Sequence, residues 1–129
     1  MSSRHGFTLY ELLVVVVILG ILAALAIAKF RNTKEKAYAA QMQSDLRNLA
    51  VAEEAFFYDS SKYTSSVASL TLLRRYAPSS GVTVVINEAT TKGWSASATH
   101  AQTSRQCFLF SGGAAPVGNA TVEGRITCS

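Results

Sequence analysis

From Phe7 to Ala28 the chain runs for 22 residues with a single charged side chain, the carboxylate of Glu11. About 20 consecutive apolar residues suffice to cross a bilayer core as a helix. The run therefore predicts a membrane-length helix, and an acid near its start needs an explanation. A carboxylate costs roughly 2.5 kcal/mol or more at mid-membrane and less near the interface, so such a residue ordinarily has a partner or a task. Cleavage after Gly6 would create a partner, because the new amino group on Phe7 stands in the i, i+4 relation to Glu11. That amine could pair with its own Glu11 or with the Glu11 of a neighbouring chain. The alternative is a glutamate tolerated at the interface, where polar groups reach water.

A chain of 129 residues, less a short leader and a membrane segment, leaves about 100 residues for one small domain. A core of that size is modest and often needs a covalent staple. Cys107 and Cys128 are the only cysteines, and an even count in an exported domain reads as a disulfide rather than as free thiols. Closing that loop of about 20 residues is worth roughly 3 kcal/mol in the chain-entropy model. A metal site is a poor fit: His5 sits in the leader, His100 stands alone, and two cysteines make half a structural zinc site. The sequence points to no metal and no cofactor.

Beyond the apolar run no proline interrupts the helical pattern until Pro78. Tyr38, Met42, Leu46, Leu49 and Phe56 recur at helical spacing and mark an amphipathic face. The pattern predicts one helix from about Thr8 to Tyr58, bare and apolar in its first half and laid on a sheet by its second. Lys34, Glu35, Lys36, Asp45, Arg47 and Glu54 are expected to face water, with Glu53 falling close to the apolar stripe. Asp59-Ser60-Ser61-Lys62 should end the helix, and Ser65-Ser66 should cap a short second one reaching about Arg75. After a loop at Pro78 to Gly81 come four candidate strands: Val82 to Ile86, Trp94 to Thr99, Cys107 to Phe110, and Val122 to Cys128. Asn87 to Gly93 suits a hairpin connection and Gly112 to Asn119 an exposed loop. The fold class is α+β, a long N-terminal helix on a small antiparallel sheet of about four strands.

Gly6-Phe7-Thr8-Leu9-Tyr10-Glu11-Leu12-Leu13, followed by the valine run and Gly20-Ile21-Leu22-Ala23-Ala24, resembles the processing and polymerisation segment of type IV pilins and their pseudopilin relatives. More weakly, Tyr58 to Thr64 resembles their helix-to-loop junction, Gly93 to Thr99 their central strand, and the cysteine pair their C-terminal disulfide region. The resemblance implies a leader, residues 1–6, removed by a prepilin peptidase between Gly6 and Phe7, with methylation of the Phe7 amine. It implies a transmembrane and polymerisation helix over 7–28 and a globular head over 29–129 that includes the second half of the long helix. Phe7, Thr8 and Glu11 would be the assembly residues, Glu11 meeting the Phe7 amine of an adjacent subunit. The partners implied are other copies in a helical filament, the inner membrane before assembly, and an assembly platform with its cytoplasmic ATPase; the finished filament would be extracellular.

Two departures from the family pattern carry weight. Where many members have proline this chain has Ala28, the best helix former, which favours a straighter helix; Gly20 remains a weak point. Calcium-binding major pseudopilins place acidic ligands near the C-terminus, but after Glu88 this chain has only Glu123, and hard cations prefer several oxygen ligands. The expectation is therefore a pilus subunit, with a type II secretion pseudopilin, residing in the periplasm, as the rival.

Orientation by charge is ambiguous. Arg4 and His5 flank the leader side while Lys29, Arg31, Lys34 and Lys36 crowd the far side, against a positive-inside count; the resemblance places the leader in the cytoplasm. Ala26-Ile27-Ala28 has the form of an ordinary signal-peptidase site that would release a soluble domain starting at Lys29, but the apolar run exceeds the usual length. A membrane-anchored or secreted binding domain that never polymerises is the alternative from a different class. No enzymatic constellation is present: His100 has no local acid or nucleophile, Gly112-Gly113 leads into no phosphate-binding helix, and Glu53 and Glu54 point in different directions. His100 reads as a surface residue at a strand end. The net charge of +4 makes DNA a weak candidate partner beside the plainer reading of solubility.

Overall fold

The computed structural model describes residues 6–129, so Arg4 and His5, expected to belong to a leader, lie outside the described residues. Two helices and four strands follow in order: α1 (Leu9–Ser60), α2 (Val67–Leu72), β1 (Val82–Ala89), β2 (Gly93–His100), β3 (Gln106–Gly112) and β4 (Thr127–Cys128). This is the expected α+β arrangement. The chain divides into two compact units, one ending at Lys34 and the other comprising Glu35–Ser129.

In the first unit α1 continues unbroken through Gly20 and Ala28, since alanine keeps the backbone hydrogen bond that a proline would remove. Its side chains are exposed, Val14 alone being half-buried. The segment is long and apolar enough to cross a membrane. At its far end the Lys34 ammonium lies 4.9 Å from the centre of the Phe30 ring, a cation–π contact.

In the second unit α1 buries Ala39, Met42, Asp45, Leu46, Leu49, Ala52 and Glu53, a stripe with the three- and four-residue steps of an amphipathic helix. Tyr38 and Phe56, expected on that stripe, sit half-buried at its margins. The helix stops where Ser61 takes a left-handed φ of 58°, and the Ser60 hydroxyl donates back to the Phe56 carbonyl at 2.7 Å. Ser66 caps α2, its hydroxyl accepting from the Ser69 N–H at 3.2 Å. α2 is shorter than expected because Leu73 is its C-cap and Arg74 turns left-handed, φ 56°.

The sheet has the order β1-β2-β3-β4 with every pairing antiparallel. Val82, Val84 and Ile86 of β1, Trp94, Ala96 and Ala98 of β2, and Cys107 and Leu109 of β3 share one core with Met42, Leu46 and Leu49. The two alanines in the central strand leave room for the helix to approach, as close packing requires. β1 runs past Ile86 across a bulge to Ala89, so the hairpin connection shortens to residues 90–92.

The last strand is the main departure: of Val122 to Cys128, only Thr127 and Cys128 pair. Gly124 takes φ 70° and donates to the Phe110 carbonyl at 2.9 Å, while Arg125 N–H returns to the Val122 carbonyl; this turns the segment out of strand geometry. The loop at 113–126 is not the freely exposed one expected from Gly112 to Asn119. Ala114, Ala120 and Phe110 are buried, so the part of the loop from Ala114 to Ala120 covers the face of β3 turned away from α1. Gly118 makes this possible: its φ is 54°, and a Cβ there would come within 2.6 Å of the Phe108 ring. Cys107 and Cys128, opposed in the β3–β4 register, form the expected disulfide.

Two surface assignments are corrected. Asp45 is buried, because it lies three residues after Met42 and four before Leu49 on the packed stripe; its oxygens accept from the Ser79 N–H at 2.9 Å and hydroxyl at 2.8 Å. His100 ends β2 but is buried as well, stacked on Tyr38 with ring centres 4.3 Å apart and accepting at Nδ1 from the Gln102 N–H.

Candidate functional site

The N-terminal segment presents the residues expected from the sequence to serve processing and assembly in two parts. Gly6 and Phe7 precede the first turn of α1 and are exposed, Phe7 at 81%; a Cβ on Gly6 would meet nothing within 4 Å. The peptide bond between them lies in open, non-helical chain. Thr8 and Glu11 then close a reciprocal cap. Glu11 Oε2 accepts from the Thr8 N–H at 2.9 Å and from its hydroxyl at 2.8 Å, and Thr8 Oγ1 accepts from the Glu11 N–H at 3.2 Å. This is a capping box, which satisfies otherwise orphaned donors at a helix start and places a negative charge at the positive end of the helix dipole. The structure thus brings Thr8 and Glu11 together within one chain through a single carboxylate oxygen.

The head carries further ionisable groups that the sequence did not single out as a set. Glu53 has no exposed surface; Oε2 accepts from the Thr64 N–H at 3.0 Å and Oε1 has no partner. Burial lifts its pKa from the usual 4.5 to about 7, the Thr64 bond opposing and the neighbouring Glu54 charge assisting. Glu54, exposed, accepts from the Tyr63 hydroxyl at 3.0 Å; burial, assisted by this bond, holds the phenol above its ordinary range. Arg75 pairs with Asp59, tying the end of α2 to the end of α1. Among the described residues no three His, Cys, Asp or Glu side chains converge as a metal site. Glu123, the acid nearest the C-terminus, accepts from the Gly112 N–H at 2.7 Å, so the donor set there does not fit a hard cation.

A groove of about 410 Å³ opens between α1 and the segment before β4, lined by Gln43, Arg47, Ala50, Leu109, Gly124, Arg125 and Ile126. Sequence reasoning missed it, because Arg47 and Arg125 are far apart in the chain and only the fold brings them to one cleft.

Residues 1–27 match the family model described as the prokaryotic N-terminal methylation motif. The chain is 40% identical over 73 residues to the type II secretion system core protein G of Klebsiella pneumoniae, covering 57% of this chain and 52% of the relative. It is 39% identical over 61 residues to the type IV major pilin protein PilA of Myxococcus xanthus, covering 47% and 28%, and 38% identical over 61 residues to the type IV major fimbrial protein FimA of Dichelobacter nodosus, covering 47% and 38%. The matches thus span about half the length of the secretion relative and less of the pilins. The chain carries the prokaryotic N-terminal methylation motif, and its homologues are the pseudopilin known as type II secretion core protein G and the type IV pilins.

Proposed function

We propose that this chain is a structural subunit of a type IV pilus-like helical filament, cut between Gly6 and Phe7, methylated on Phe7 and assembled from the inner membrane through its apolar helix. The observation that carries this reading is the Thr8–Glu11 cap at the head of an exposed apolar helix. The cap uses only Oε2, which leaves Oε1 to meet the amine of another subunit's Phe7 after cleavage. Side chains from Leu9 to Phe30 that find no cover within the chain would be sheltered first by lipid and then by neighbouring helices, the dominant cohesive term in such an assembly. The role is structural rather than catalytic. An assembly platform and ATPase would supply extraction from the membrane, with the head outside.

The test is the N-terminal mass of the chain from cells together with the filament yield of Glu11→Ala. The expected results are a methylated Phe7 start and a variant whose head folds but whose filaments are lost. A Lys29 start, or wild-type filament yield from the variant, would refute the reading. A type II secretion pseudopilin is the second reading, favoured by the longer match to core protein G, 73 residues against 61. Loss of protein secretion without loss of pili on deletion of the gene would select it.

A further inference from the structure

At the far end of the apolar run the charge pattern changes abruptly. From Leu12 to Ala28 there are 17 residues without a charge, and Lys29, Arg31 and Lys34 then follow within six positions. Seventeen helical residues rise about 26 Å, close to the roughly 30 Å of a hydrocarbon core. A helix that fills the core with this run brings Lys29 to the boundary with the headgroups. Lys34 stands five residues further on, a rise of about 7.5 Å, and the headgroup layer on each side of a bilayer is about 5 to 7 Å deep. All three cations therefore fall within that layer or at its edge.

Their placement around the helix says what would meet them. At about 100° per residue, Arg31 lies about 200° and Lys34 about 140° from Lys29, so no arc wider than about 160° lacks a cation. All three side chains are exposed, and among the described residues none of them is in an ion pair. Glu11 is the one acid among the described residues before Lys34, and the next, Glu35, is held by the Thr103 hydroxyl. Phe30, 61% exposed, carries the Lys34 ammonium over its ring. A stripe of cations on one side would suit a single protein face. Cations on all sides of a helix suit many small anions arrayed in a plane, as the phosphates of a bilayer surface are. Topology does not account for them, since a cation excess at the end that leads into the head runs against the positive-inside count.

We propose that Lys29, Arg31 and Lys34 form a collar that gathers anionic phospholipid headgroups around α1 in the leaflet at its Lys29 end. The proposal rests on the membrane-spanning stage of the reading above. A cation held at an anionic surface favours the association by roughly fivefold. Lipids next to the helix should then be enriched about fivefold or more in phosphatidylglycerol over phosphatidylcholine. Salt should erase the enrichment, because exposed charges are screened within about 3 Å at 1 M ionic strength.

Fluorescence quenching in phosphatidylcholine vesicles containing the full-length chain tests this. A dye on Asn32→Cys reports from the collar, because Asn32 is exposed and Cys107 and Cys128 are bonded to each other, which leaves the new thiol as the sole free one. The quencher is phosphatidylglycerol or phosphatidylcholine with the same spin label at the top of one acyl chain. At low salt, labelled phosphatidylglycerol should quench as strongly as about fivefold more labelled phosphatidylcholine. The two should become equal in 1 M salt and when K29Q/R31Q/K34Q is added to the labelled chain, glutamine being a good helix former. Equal quenching at low salt, quenching by neither lipid, or a preference that survives salt or the triple substitution would overturn the collar and leave the membrane reading standing. Should the triple variant fail to insert, the salt titration of the labelled parent decides alone. A parent chain that does not stay with the vesicles through alkaline extraction would overturn both.

Discussion

Replacing Glu53 by glutamine should change how the stability of the head depends on pH. The carboxyl is fully buried, one oxygen on the Thr64 N–H and the other unpartnered, and burial lifts its pKa from 4.5 to about 7. Below pH 4.5 the group is neutral in the folded and the unfolded chain and costs nothing. Between there and about pH 7 the unfolded chain releases a proton that the folded chain retains, so stability falls by up to about 1.4 kcal/mol per pH unit. Above pH 7 the folded form is ionised too and the accumulated loss, at most about 3 kcal/mol, stays constant. Glutamine keeps an oxygen for Thr64 and does not titrate. Urea unfolding of the detergent-solubilised chain, followed by the fluorescence of Trp94, the single tryptophan and 1% exposed, measures the difference from about pH 4 to about pH 8. Wild type should lose ground against Glu53→Gln across that range. Parallel profiles, or a wild type that gains on the variant as pH rises, would refute the argument from burial.

Serine at both Cys107 and Cys128, joined across 21 positions, should cost roughly 3 kcal/mol of unfolding free energy, and the same shift should follow reduction of the wild-type chain; an unchanged urea midpoint would show that the tail is held by other contacts. Gly118→Ala forces a side chain onto a left-handed backbone and into the Phe108 ring, with an expected loss of about 1 to 3 kcal/mol, readable as a lower melting temperature; a neutral result would mean that the covering loop moves aside at little cost.

The long helix, its packed stripe and the strand order were legible because each is written in local periodicity. Met42, Leu46 and Leu49 repeat at helical spacing and Val82, Val84 and Ile86 at strand spacing, and burial follows both patterns. Asp45 follows the same spacing, but a carboxylate ordinarily faces water, and the Ser79 donors that make its burial tolerable come from 34 residues away. His100 was misplaced for a similar reason, its stacking partner Tyr38 belonging to α1. Val122 to Cys128 has the composition of a strand, yet Gly124 with its left-handed φ and its bond to Phe110 turns most of it out of strand geometry. The Thr8–Glu11 cap is legible as well, since a threonine three residues before a glutamate at the head of an apolar run is the capping-box pattern. The Arg47 and Arg125 groove exists only once residues 78 apart have been folded together.

The brevity of β4 bears on how this sheet avoids pairing with the sheet of another molecule. Unpaired strand borders invite pairing with the border of another molecule, the route to aggregates. At one border of this sheet, two residues of β4 cover the start of β3 under a covalent lock. Further along, the Gly112 N–H is taken by a carboxylate and the Phe110 carbonyl by the Gly124 N–H, so little free backbone remains there to template another strand. At the opposite border β1 is interrupted by its bulge between Ile86 and Glu88, and Glu88 spends an oxygen on the Ala115 N–H. The β4 border of the sheet is thereby made a poor template for another strand.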